Sequence, residues 1–491
     1  MRTRIGLAVL SAMFFVFVCG CQAAPDSTAV TSKNDGALEA ALGAAADVQT
    51  EAAEDDPVSL QEPVTYTDSF TNKDGDITYQ VELDIPAVTA NMPVLRVRPK
   101  TITAECAQHV AEVLFGDADI YDHSGTLSKA ELEELILSLR QRLSDQDEME
   151  THFGPMKDEV AEQMEAAISK YEAEYAEAPE TTEERLCGWE FQPRSWYYDQ
   201  AWVNEDDPET ISLNKSQFIV ATSERDGLPY LYTVCNREES DYRIHSITCE
   251  MNWELMEEDL IYSTQKPTEA EIAEAQAEAE NLLDTLDLGQ WVIDSCVMQE
   301  VGSPFGYSKY SIIVTACPVY YGVKVPHLQL KNLRSDDAYA SNYAYEEMSF
   351  TFSGGNLVRF YYNSPLDVVE VVNENVAILS FEEAMGICRN QMQMSVLNTD
   401  PDSFEIFYPT TARKEVDVYQ AELGLTRTRV KDNATDFYLL PAYTFRASYT
   451  LYDQNGSLLI DSNDLLGTMF TSEMLVINAL DGSIINTELG Y

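Results

Sequence analysis

The sequence predicts an α+β fold in which antiparallel sheets are each covered by helices, with two tandem α+β modules closing the chain. Three observations carry that expectation. Thr268-x-x-Glu271 and Ser380-x-x-Glu383 are capping boxes, each opening a run whose apolar residues recur with helical period. Each of these helices is followed by alternating apolar segments in the same order, the pattern of half-buried strands. Asp226-Gly227 stands between residues 218–222 and 228–234, two β-like runs, and is the dipeptide a two-residue hairpin turn demands.

At the start of the chain, Arg2 and Arg4 precede an apolar run over residues 5–18. That is enough for a secretory h-region and too short to cross the ~30 Å of a bilayer's hydrocarbon core. Val18-Cys19-Gly20-Cys21 follows, and the stretch resembles a bacterial lipoprotein signal: an apolar residue, two small residues, then a cysteine, with Val18 where leucine is more usual. The resemblance implies that residues 1–20 are removed and that Cys21 becomes the mature N-terminus, lipidated with diacylglycerol and labelled by palmitate. Two acyl chains hold a protein where one gives only marginal binding, at ~0.8 kcal/mol per buried CH₂. The expected location is the outer face of the cell membrane. An ordinary secretory signal with a chance Gly-Cys is the alternative.

Composition suits an exported body. A chain of 491 residues with 45% apolar content holds about three domains. A formal net charge of -53 excludes nucleic acid as a partner, because binding phosphate needs Lys and Arg in excess, and it favours cations or basic partners instead. After removal of Cys19 and lipidation of Cys21, seven cysteines remain, with no Cys-x-x-Cys among them, a poor disulfide framework and a poor zinc site. Two readings stand for Cys296 and Cys317: a bridge across a hairpin centred near Gly306, or buried free thiols.

Residues 21–62 carry nine acidic residues against Lys33 alone and almost nothing bulky, so they read as a disordered acidic tether spanning roughly 35 Å. Residues 63–185 read as an N-terminal α+β region. Ile77, Tyr79, Val81, Leu83 and Ile85 alternate, Val94, Leu95 and Val97 make a second run, and Pro86, Pro93 and Pro99 interrupt them. A helix is expected over residues 103–115. Ser128 and Glu131 open another, with Leu132, Leu135, Ile136, Leu139 and Leu143 as its stripe, and a third runs from near Pro155 to Pro179. Asp122, Ser124, Gly125, Leu127 and Glu131 imitate a calcium loop, but its first ligand position is Ile120, so no metal site is assigned.

Residues 186–265 read as a β-rich region. An aromatic cluster precedes its hairpin (Trp189, Phe191, Trp196, Tyr197, Tyr198, Trp202), able to stack on sugar rings if exposed or to pack in a core if not. Catalytic chemistry finds no footing. There is no Gly-x-Ser-x-Gly elbow, His-Glu-x-x-His, phosphate loop or dinucleotide-binding glycine pattern. Ser212-x-x-Lys215 and Ser263-x-x-Lys266 match a penicillin-interacting pattern without its companion motifs, and His109, His123, His152, His245 and His327 are scattered. No catalytic, cofactor-binding or metal-binding residue is assigned, and the expected role is non-enzymatic. A surface glycan-binding protein or an atypical extracellular hydrolase working through paired carboxylates is the alternative.

The first module is placed at residues 266–378 and the second at 379–491. Ile272, Ala275, Ala279, Leu282, Leu283 and Leu286 face inward on one helix, Ala384, Ile387, Cys388 and Met392 on the other. Pro318-Val319-Tyr320 is matched with Pro441-Ala442-Tyr443, Glu347-Met348 with Glu473-Met474, and the glycine turn Ser353-Gly354-Gly355 with Asp481-Gly482. The run from Val476 through Asn478, Asp481-Gly482 and Ile484 resembles the closing hairpin of PepSY-type modules. Residues 380–486 are similar in order to the PepSY-like domains of YycH/YycI accessory proteins and of lipoproteins from Gram-positive anaerobes. A long insertion between Phe407 and Phe437 departs from the pattern. The resemblance implies extracytoplasmic units of interaction, regulation or inhibition, with an envelope protein or peptide as partner and no catalytic residues to carry over.

Overall fold

The computed structural model describes residues 64–88, 91–123, 128–144, 157–181, 185–193, 217–236, 245–252, 262–302, 308–326, 345–397, 410–430, 433, 435–461 and 472–487. Strands β1 (Thr65–Thr71) and β2 (Ile77–Asp84) form a hairpin whose turn is tied by Asn72, its side-chain oxygen accepting from the Asp76 and Ile77 amides. After β3 (Val94–Pro99), helix α1 (Ala104–Phe115) is capped by Thr103, which accepts from the Cys106 amide at 3.2 Å. β4 (Tyr121–Asp122) leads to α2 (Lys129–Ser144) and α3 (Lys157–Tyr175), which pack on each other through Leu139, Leu143, Ala161 and Met164.

β5 (Gln192–Pro193) and the hairpin of β6 (Gln217–Arg225) and β7 (Leu228–Asn236) follow. Asp226 and Gly227 both take positive φ, 54° and 76°, the geometry for which that dipeptide is suited. β8 (His245–Met251) precedes α4 (Glu269–Leu286), then β9 (Trp291–Gly302), β10 (Ser308–Tyr320), β11 (Val323–Lys324), β12 (Glu347–Ser353), β13 (Asn356–Asn363) and β14 (Leu366–Asn373). The chain closes with α5 (Phe381–Gln393), β15 (Thr411–Arg429), β16 (Phe437–Asp453), β17 (Leu458–Asp461), β18 (Ser472–Asn478) and β19 (Ile484–Ile485). Both capping boxes are present, at Thr268 with Glu271 and at Ser380 with Glu383.

Two large sheets result. The ten-stranded one runs β11-β10-β12-β13-β8-β7-β6-β4, with β9 on β10 and β5 on β6. The nine-stranded one runs β1-β2-β15-β16-β18-β19, with β3 and β17 also on β16 and β14 on β3. Its β2–β15 pairing is parallel.

The expected α+β fold of helix-covered antiparallel sheets is not what forms. Among the described residues strand outweighs helix, 48% to 24%, and the helices number five. The reason is visible in the cores. α1 and α4 cover the larger sheet, and α5 packs on β1, β2, β15, β16 and β18. The third core contains no helical residue at all: Val94, Leu95, Val323, Val325, Leu366, Leu425 and Leu439 are buried where the two sheets abut. Sheet closes on sheet there, and no helix is needed.

After α4 and after α5 the chain makes the same series of antiparallel pairings, β9–β10–β12–β13 and β15–β16–β18–β19. These are not tandem modules standing alone, because an open strand edge seeks a partner. β13 is completed by β8 and β15 by β2, so each series borrows strands from far upstream. The stretch between Phe407 and Phe437, read as an insertion, contains β15, half of the longest hairpin. The match of Pro318 with Pro441 is also out of register: Pro318 lies at the end of β10, Pro441 near the start of β16.

Candidate functional site

α4 and β9 enclose a groove of about 510 Å³. Its helical wall is Gln276, Glu280, Leu283 and Asp284, spaced as one stripe of an α-helix. Its other wall is the six consecutive residues 291–296. Successive strand residues point to opposite faces, so a groove over one face would meet only alternate residues. Contact with six in succession places the groove along the strand's edge. Among the described residues β9 is bonded in the sheet to β10 alone, and Val292 and Val297 on it are exposed.

Local chemistry builds this arrangement. α4 starts at its capping box and ends at Asp287, which takes the left-handed conformation (φ 49°) and turns the chain toward β9. Trp291 fixes the groove's near end, its Nε1 donating to the Leu288 carbonyl at 3.0 Å and its ring edge-on to Tyr362 at 5.8 Å. Gln276 donates to Glu280 at 3.0 Å, leaving the Glu280 and Asp284 carboxylates on an exposed rim.

At Asp294 the ladder is bulged: Ile293 faces Ala316 and Ser295 faces Thr315, so Asp294 is the extra residue. Its carboxylate is turned inward, 2.5 Å from Lys324 Nζ and 3.8 Å from Arg446. Both cations also meet Glu422, making a ring of two positive and two negative groups across the junction of the sheets. Burial opposes the charge on Lys324, but the fields of Glu422 and Asp294 outweigh it and hold the ammonium above its ordinary range. The backbones are pressed together beside this ring. A Cβ on Gly424 would come within 2.6 Å of the Pro326 ring and 2.7 Å of the Lys324 carbonyl.

A second buried cluster lies at the same junction. Tyr320 Oη donates to Glu346 Oε2 at 2.5 Å, and the Leu366 amide donates to Oε1 at 3.4 Å. The Arg427 guanidinium stands over the rings of Tyr345 and Phe437, at 5.1 and 4.7 Å. Burial pushes the Glu346 carboxyl up to about 8 despite those hydrogen bonds and the field of Arg427.

The residues singled out from sequence are not gathered at either place. Cys21, His152, Ser212, Lys215, Trp196, Tyr197, Tyr198, Trp202, His327 and residues 124–127 of the calcium-like loop lie outside the described residues. Trp189 packs edge-on against Tyr232 at 6.2 Å, and Phe191 packs on the same core. Ser263 spends its hydroxyl on a local turn with Gln265. His109 is exposed and His123 half-buried, while His245 is buried against Asn236. Cys296 faces Val314 and Cys317 faces Val292, so the two thiols are not cross-strand partners, and no disulfide joins them. Sequence reasoning missed Gln276, Glu280 and Asp284 as groove residues. The one available signal was a polar stripe on α4 flanking its apolar one. Nothing in the sequence distinguished Glu346 from other glutamates.

No family model matches the chain, and no curated protein matches it. The crystal structure of an uncharacterized protein from Eubacterium rectale is similar at 9% identity over 86% of this chain and 93% of that one, with a TM-score of 0.38. A likeness of that degree decides neither fold nor function.

Proposed function

We propose that this chain is a lipid-anchored protein of the outer face of the cell membrane that works by binding another envelope protein or a peptide, without catalysing a reaction. The observation that carries the reading is the open groove between α4 and the edge of β9, a concave site of the size that ligand pockets take, roughly 300–1,000 Å³. The resemblance of residues 380–486 to PepSY-type interaction units points the same way, and the signal ending at Cys21 supports the anchor. The glycan-binding alternative draws no support from Trp189 or Phe191, whose rings serve the core.

Photo-crosslinking on intact cells tests the binding role. A crosslinker placed at Gln276 in the groove is expected to trap a defined envelope partner that the same group at exposed Leu458 does not trap. Equal adducts at both positions would refute the groove. Cys21→Ser tests the anchor: it is expected to leave unprocessed precursor without palmitate label, and label that survives the substitution would remove it.

A further inference from the structure

We infer that the groove accepts an extended, lysine- or arginine-bearing segment of another protein as a strand added to the outer edge of β9. The inference rests on the binding role proposed above and specifies its ligand.

The edge supplies the first ground. A strand bonded on one side presents a row of backbone donors and acceptors on the other, a template for an incoming chain. Proteins usually guard such edges with Lys or Pro. β9 (Trp291–Gly302) contains neither, and of its two charged residues, Asp294 is turned away into the junction. The bulge and the inward charge at Asp294 blunt the edge locally, and the regular stretch from Ser295 onward has neither device.

Charge supplies the second ground. None of the ten lining residues is Lys or Arg, whereas Glu280 and Asp284 stand one helical turn apart on the rim. Along an α-helix that separation is about 6 Å, and alternate residues of a strand on one face are about 6.7 Å apart. Cations at every second position of an added strand would therefore reach one carboxylate each. The intervening apolar side chains would lie on the opposite face, over the exposed Val292 and Val297. An acidic segment would be repelled both here and by the net charge of -53. A second copy of the chain, bringing another Glu280 and Asp284, is disfavoured on the same ground.

Geometry also sets the extent. The bulge at Asp294 breaks the edge into residues 291–293 and a regular stretch from Ser295 onward, so pairing is expected to run on one side of Asp294 at a time.

The mature full chain is titrated with an alternating Lys-Val peptide of about eight residues, long enough at ~3.4 Å per residue to span the edge. Its Glu-Val counterpart and a Lys-Val peptide N-methylated at alternate residues serve as comparisons. Saturable binding by the Lys-Val peptide alone is expected, with affinity at least about tenfold lower for both comparisons and falling as salt is added. Amide exchange is expected to slow in residues 291–293 or 295–299 on binding. The double variant Glu280→Lys, Asp284→Lys, both on the exposed rim, is expected to reverse the preference toward the Glu-Val peptide.

Equal binding of the N-methylated peptide would mean charge attraction without strand addition, and unchanged exchange in β9 would place the site elsewhere. Protection of β9 without peptide, in a chain that sediments as a dimer, would assign the edge to a second copy. Each result overturns the inference. Groove-specific crosslinking to a partner that lacks a basic extended segment would overturn it too while leaving the binding role standing. Loss of groove-specific crosslinking would remove both.

Discussion

Glu346→Gln isolates the most perturbed carboxyl of the sheet junction. The ordinary value of 4.5 rises to about 8 in the folded chain, chiefly by burial. That rise corresponds to on the order of 5 kcal/mol between the protonation states. The sign follows from proton binding: between pH 4.5 and 8 the folded chain holds a proton on Glu346 that the unfolded chain has released, so stability falls as pH rises. That loss approaches ~1.4 kcal/mol per pH unit inside the window and is complete above the folded value. Gln keeps a carbonyl oxygen to accept from the Leu366 amide and presents an NH2 that donates to Tyr320 Oη, whose own proton can turn to the Leu366 carbonyl, while removing the titration. Urea unfolding of parent and variant from pH 4.5 to 8.5 is the measurement. The variant curve is expected to be flatter, and its advantage to grow by several kcal/mol toward the alkaline end. Tyr320→Phe, which removes a donor that favours the charged form, is expected to carry the loss of stability on to higher pH at the same limiting slope. Parallel curves for parent and Glu346→Gln would refute the placement of a protonated carboxyl in this core.

Asp436 has the opposite sign. The hydrogen bond from Arg98, aided by Arg96 and Thr435, outweighs burial and holds its carboxyl down at about 2, so its stabilisation is present above its ordinary 3.8 and is lost as pH falls toward 2. Asp436→Asn is expected to remove about 1–2 kcal/mol at pH 6, after allowing for solvent around the two guanidiniums, and to blunt the acid limb in the same unfolding series. Gly482 takes φ 75°, and a Cβ there would meet Ile387 Cδ1 at 2.6 Å. Gly482→Ala therefore combines backbone strain with overpacking against α5, and thermal unfolding is expected to report a loss of about 2–4 kcal/mol. Leu283→Asp places a carboxylate on the buried stripe of α4 and is expected to destabilise by several kcal/mol. The exposed Glu274→Asp is its control and should cost well under 1 kcal/mol, by the same thermal assay. Glu278 is unsuitable for that purpose, since it pairs with Arg225 at 2.5 Å.

What the sequence determined by itself lies within a few residues of each signal. Thr268 with Glu271 and Ser380 with Glu383 cap helices because the groups that satisfy the first turn are three positions apart in the chain. Asp226-Gly227 turns a hairpin because both positions need positive φ, and the stripe of Leu282, Leu283 and Leu286 is buried because helical period alone sets it. Strand partners are another matter. The alternation of Ile77, Tyr79 and Val81 says that one face is buried and is silent on what pairs along the edge, which here is Lys414 through Val418 in parallel. The same silence covers β13 with β8 and the abutment of the two sheets at Gly424. That abutment produces both candidate features: it turns Asp294 inward to Lys324, and it buries Glu346 beside Tyr320 and Arg427. The groove depends on β9 being an edge among the described strands. An edge is defined by which strands fail to arrive, a property of the whole assembled sheet that no local pattern in the sequence encodes.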